Sequence, residues 1–117
     1  MPSYILLLHR NAQSMSDLSP EAMGQLLKDF NTWTAKMRAE GRYVGSDRLT
    51  EAVKTVTAKG GQFAVTDGPY AESKEIVGGY YGITAKDFAE ACEVAKGYPM
   101  LKHGGRVEVR QIFEMPS

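Results

Sequence analysis

Apolar residues fall in short runs along this chain, and two longer stretches repeat them at helical spacing. Tyr4-Ile5-Leu6-Leu7-Leu8 reads as a first strand that ends at His9-Arg10. Tyr4, Leu6 and Leu8 share one face, and Ile5 and Leu7 share the other. A strand with two apolar faces is usually covered on both sides. Residues 11–18 are polar and irregular. A helix is then predicted over 19–40, with Ser19 as N-cap, Pro20 in the first helical position and Glu21 at the positive end of the dipole. Met23, Leu26, Leu27, Phe30, Trp33, Thr34 and Met37 form its buried stripe, and Gly41 stops it.

The pattern then changes to a period of two. Residues 42–49 read as a second strand, weakened or bulged at Gly45. Residues 53–57 and 62–66 read as two strands of a hairpin turned at Lys59-Gly60-Gly61. Residues 77–84 form the next strand, again apolar on both parities. A second helix is expected from Thr84, with Thr84 and Asp87 in the places of a capping box. Phe88, Ala91, Cys92 and Ala95 lie along one face of it, which predicts a buried, unreactive Cys92. Gly97 and Pro99 end that helix, and a last strand runs over 106–113. This order predicts an α+β, ferredoxin-like antiparallel sheet with two helices on one face. The other face is apolar too, and a second copy of the same sheet would cover it, so a homodimer is expected.

Composition narrows the function classes. The 117 residues fit one domain spanning 1–117. Lys+Arg and Asp+Glu are both 14, so the net charge is zero, which argues against nucleic acid as the main partner. The single cysteine excludes an intrachain disulfide and suits a reducing cytoplasm. The apolar runs are too short to span a bilayer, and no signal peptide is visible, so no membrane partner is expected. One Cys and two distant His residues make no zinc pattern, and neither a P-loop nor a Gly-x-Ser-x-Gly elbow occurs, so no cofactor is expected.

The densest chemistry lies in Val65-Thr66-Asp67-Gly68-Pro69-Tyr70-Ala71-Glu72-Ser73-Lys74-Glu75, followed by Gly78-Gly79-Tyr80. Asp67-Gly68-Pro69 is a strong turn signal, and the glycine pair leaves room for another group to approach the backbone. With Val107-Glu108-Val109-Arg110, this segment resembles the DGPF family of the YCII-related group, named for an Asp-Gly-Pro-Phe signature. Tyr70 stands where that signature has Phe. The resemblance runs from Tyr4 to Phe113 and implies a dimeric α+β barrel with a pocket. It implies no settled reaction. Some YCII relatives carry a His in the first helix that is proposed to act with an Asp, and residues 19–40 contain no His. DGPF-like proteins are often encoded beside alternative sigma factors, which implies a regulatory or protein-interaction role as the alternative to a small-molecule site.

Candidate site residues follow from these readings. Asp67 is either a general base or ligand acceptor, or the cap of its own turn. His9 would serve as its acid–base partner if the end of the first strand and the motif loop meet. Tyr70, Glu72, Lys74 and Glu75 would line a ligand pocket. Arg110 would either pair with Glu75 or Glu72, or receive a ligand carboxylate. His103, in a Gly-rich loop, reads as a surface residue.

Overall fold

The computed structural model describes residues 1–11, 15–68 and 75–115. Strand β1 (Ser3–Asn11) leads to helix α1 (Pro20–Ala39), strand β2 (Tyr43–Arg48), an arm of β3 (Lys54–Lys59) and β4 (Gln62–Asp67), strand β5 (Glu75–Thr84), helix α2 (Phe88–Ala95), a 3-10 turn (Pro99–His103) and strand β6 (Arg106–Gln111). The four long strands form one antiparallel sheet in the order β2-β5-β1-β6. With the arm set aside, this is βαββαβ with the first and third strands in the centre. That is the ferredoxin-like arrangement the element order predicts.

Local chemistry explains the boundaries. Ser19 Oγ accepts from the Ala22 amide at 3.1 Å, Pro20 opens α1, and Lys36 and Arg38 face the negative end of its dipole. Gly41 leaves the helix at a φ of +73°. The register of β2 against β5 slips between Tyr43 and Gly45, the bulge expected there. Lys59 pairs with Gln62, so the arm turns on Gly60 and Gly61, both at positive φ.

Tyr4, Leu6, Leu8, Tyr81 and Ile83 point from the sheet into the core, where Leu26, Trp33 and Met37 of α1 and Ala91 and Ala95 of α2 meet them. Each large side chain buried in this way contributes about 1.5–3 kcal/mol. Trp33 ties the two helices together, packing on Tyr81 and donating its indole N–H to the Val94 carbonyl at 2.9 Å. Both helices therefore cover one sheet face. Ile5, Leu7 and Tyr80 lie on the other face, each partly exposed.

Three expectations change. Helix α2 begins at Phe88 and not at Thr84, which instead closes β5 opposite Ser3. Asp87 is the N-cap, accepting from the Glu90 amide at 2.9 Å, while Glu90 reaches back to the Lys86 amide. Cys92 is exposed, because the buried line of this short helix runs through Ala91 and Ala95, and Cys92 stands one step round from it. Pro99 starts a 3-10 turn where the sequence predicts only the end of the helix.

The β3–β4 arm stands apart from the sheet. The radius of gyration is 16.4 Å, against about 13 Å for a compact chain of this length. Val56, Val65, Ala58 and Phe63 share one face of the arm, and Phe63 is 80% exposed. Among the described residues, no helix is long and apolar enough to cross a membrane.

Candidate functional site

The sheet sorts the candidate residues by parity. His9, Arg106, Glu108 and Arg110 project from its open face at neighbouring register positions, with Glu75 beside them on β5. Arg106 Nε donates to both carboxylate oxygens of Glu75, at 2.8 and 2.9 Å. His9 Nε2 stands 3.0 Å from Glu108 Oε1, though the ring is not turned to make a hydrogen bond there. Arg110 lies 3.9 Å from Glu108. The structure thus gathers His9, Glu75 and Arg110, but it gives Glu75 to Arg106, and it gives Arg110 the neighbouring carboxylate on its own strand. On the same face the Tyr80 hydroxyl donates to Asp47 at 2.5 Å, and that bond holds the phenol above its usual range.

Asp67 lies elsewhere. It ends the arm, 86% exposed, with its carboxylate accepting from Lys54 at 2.5 Å on the paired strand. Gly68 follows at a φ of +90°, as the turn reading requires. Among the described residues, no bond joins Asp67 to His9. Tyr70, Glu72 and Lys74 lie outside the described residues. His103 is half-buried at the end of the 3-10 turn.

The opposite face holds a cleft of about 850 Å³ between α1, the end of the sheet and the β2–β3 connection. Its apolar walls are Leu8, Leu27, Phe30, Tyr98 and Met100, and its polar groups include Arg10, Asn31, Thr34, Ser46 and Glu51. Gly78 and Gly79 form part of its floor. A Cβ at Gly78 would lie 3.0 Å from Arg10 Nε, so the missing side chain lets the arginine lie flat over β5. A Cβ at Gly79 would lie 2.8 Å from the Asp47 carbonyl, so that glycine lets β2 close on β5.

Arg10 was missed as a site residue. It has the parity of Tyr4, Leu6 and Leu8, and so it points under α1 and not away from it. A cation in line with a core stripe was the available signal. Its side chain is only 13% exposed. Nη2 donates to Glu51 Oε1 at 3.2 Å, while Nη1 is buried with no hydrogen bond among the described residues. The deeper hydroxyls are committed. Thr34 Oγ1 donates to the Phe30 carbonyl at 2.9 Å, so the 2.7 Å contact with Tyr81 takes its proton from the tyrosine.

Tyr98 closes the inner end of the cleft, and its hydroxyl donates to the His9 carbonyl at 3.3 Å. Burial pushes its phenol up to about 12 from an ordinary 10.0, against the pull of nearby Arg10. The neutral phenol is therefore favoured by folding. Its stabilisation is intact below pH 10 and is lost as pH rises through about 12. Wild type should lose stability relative to Tyr98→Phe across that window in urea titrations at stepped pH. Parallel curves would refute the buried placement of the phenol.

Among the described residues, the cleft lining contains neither His nor Cys, and no cluster of His, Cys, Asp and Glu could hold a metal ion. A smaller hollow of about 440 Å³ lies between α1 and α2, edged by Asp29, Lys36, Arg42, Glu90 and Glu93. Arg42 donates to Glu90 at 3.1 Å there, and the Lys86 amide, with Arg42 second to it, holds the Glu90 carboxyl below its usual range.

A comparison with family models matches residues 3–116 to the YCII-related domain. A search of curated proteins finds no match.

Proposed function

This chain belongs to the YCII-related domain family, and we propose that it is a homodimeric protein that binds a small organic molecule in the cleft beneath α1. The observation that carries this reading is the cleft itself. A volume of about 850 Å³ lies within the range of small-molecule sites, and its lining sets polar and charged groups, among them Arg10, Asn31, Arg48 and Glu51, against apolar walls. The Gly78-Gly79 pair, which the sequence marks as a place of close approach, lies in its floor.

Acid–base chemistry fits the geometry less well. His9 stands 3.0 Å from Glu108, but the two project from the opposite face of the sheet. A ligand under α1 and a base on the open face are separated by the sheet's thickness. Binding without proton transfer is the reading that the described residues support best.

The homodimer rests on the open face. Ile5 and Leu7 leave apolar area there, and the surrounding charges are of both signs. A two-fold interface sets the same patch against itself, and a mixed-sign patch is self-complementary. Such an interface should bury more than about 1,000 Å². Sedimentation at micromolar concentration should give twice the 12.9 kDa chain mass, and a single-chain mass would sink the dimer.

The cleft reading is tested with Leu27→Trp. Leu27 is 43% exposed at the cleft wall, so an indole there fills the cleft without disturbing the core. Metabolites that raise the melting temperature of wild type should leave the variant unmoved. Equal shifts in both proteins would place binding elsewhere.

A further inference from the structure

We infer that the ligand of this cleft is an organic monoanion, a carboxylate on an apolar body, and that Arg10 receives its charge. The inference rests on the cleft reading above and adds the ligand's chemical class. A guanidinium presents a planar fork of donors that matches a carboxylate in a bidentate pair. Arg10 uses only one arm of that fork on a side chain, donating from Nη2 to Glu51. Nη1 is buried without a hydrogen bond among the described residues. A buried charged donor left unmatched is costly, so a molecule that satisfies it gains the difference.

The surroundings select the rest of the ligand. Leu8, Leu27, Phe30 and Met100 line the space around the guanidinium, which suits a hydrocarbon or aromatic body. Glu51 is 64% exposed at the other end of the ion pair, so it can swing into solvent when another carboxylate takes its place. That exchange is one negative charge for one. A phosphate dianion would bring one charge more than Glu51 gives up, and it has no use for the apolar walls. Gly78 completes the arrangement, since a side chain there would push Arg10 off the floor.

The test uses phenylacetate, its neutral isostere phenylacetamide and inorganic phosphate, each titrated calorimetrically into the full chain. Phenylacetate should bind wild type at least about tenfold more tightly than phenylacetamide, the scale of one charge-assisted hydrogen bond. Arg10→Gln should erase that preference, and Glu51→Gln should tighten phenylacetate binding by removing the competing carboxylate. Circular dichroism checks that Arg10→Gln is folded. If it is not, the comparison of acid and amide on wild type decides alone. Equal affinity for acid and amide, both lost in Leu27→Trp, overturns the role of Arg10 and leaves the cleft reading standing. No binding by either, or binding that Leu27→Trp does not weaken, overturns both. Phosphate binding as tightly as phenylacetate overturns the apolar body.

Discussion

Trp33→Ala is expected to destabilise the fold by about 3–5 kcal/mol, the usual cost of emptying a large aromatic site in a core. Trp33 is only 6% exposed and joins three parts of the molecule. Its ring stands 4.7 Å from Tyr81 on β5 and 6.1 Å from Tyr98 beside the 3-10 turn. Its N–H closes on the Val94 carbonyl at the end of α2. Gly97 supplies the space, since a Cβ there would overlap the indole. Alanine would leave a cavity, while the Val94 carbonyl would keep its bond from the Gly97 amide at 3.1 Å. A small domain has roughly 5–15 kcal/mol in total, so the variant should unfold at clearly lower urea concentration. A loss below about 1 kcal/mol would show that α1 and α2 are not held together through this residue.

Gly79→Ala should cost about 1–3 kcal/mol, the scale of overpacking at a site with little room to relax. The added methyl would meet the Asp47 carbonyl, a backbone atom, at 2.8 Å. Backbone cannot step aside as a flexible side chain would, so β2 must move away from β5. That shift would also disturb the bond from Tyr80 to Asp47 and the wall of the cleft that β2 supplies. Gly78→Ala makes a useful contrast. Its new methyl would meet the movable Arg10 side chain at 3.0 Å, so it should cost less stability while displacing the arginine. Thermal unfolding of the two variants side by side checks the ordering. An equal or larger loss at Gly78 would contradict the packing described for β2 and β5.

Most of the fold was legible because its signals are local. Ser19-Pro20-Glu21 marks the start of α1, Gly60-Gly61 marks the arm's turn, and two-sided apolarity marks β1 as a central strand. The errors came where two signals overlapped. Four residues of α2 sit close to one face, and the sequence alone does not say whether that face is centred on Ala91 or on Cys92. Thr84 resembles a cap, yet its pairing with Ser3 keeps it in the sheet.

The site was less legible, because it depends on which face each strand end presents. His9 and Arg10 are adjacent in sequence and point to opposite sides of the sheet. The chemistry of an imidazole points to His9, whereas parity puts Arg10 in the cleft. Asp67 and Glu75 are eight positions apart, but one ends the protruding arm and the other joins the open face through Arg106. Gly78-Gly79 was informative, since small residues in an otherwise bulky strand mark where something else must fit.

The most direct test of the account is amide NMR of the full chain titrated with phenylacetate. Binding in the cleft predicts saturable shifts at Arg10, Thr34, Gly78 and Gly79, with His9 and Glu108 on the open face moving far less. Shifts confined to His9, Arg106 and Glu108, or to the arm around Phe63, would contradict it.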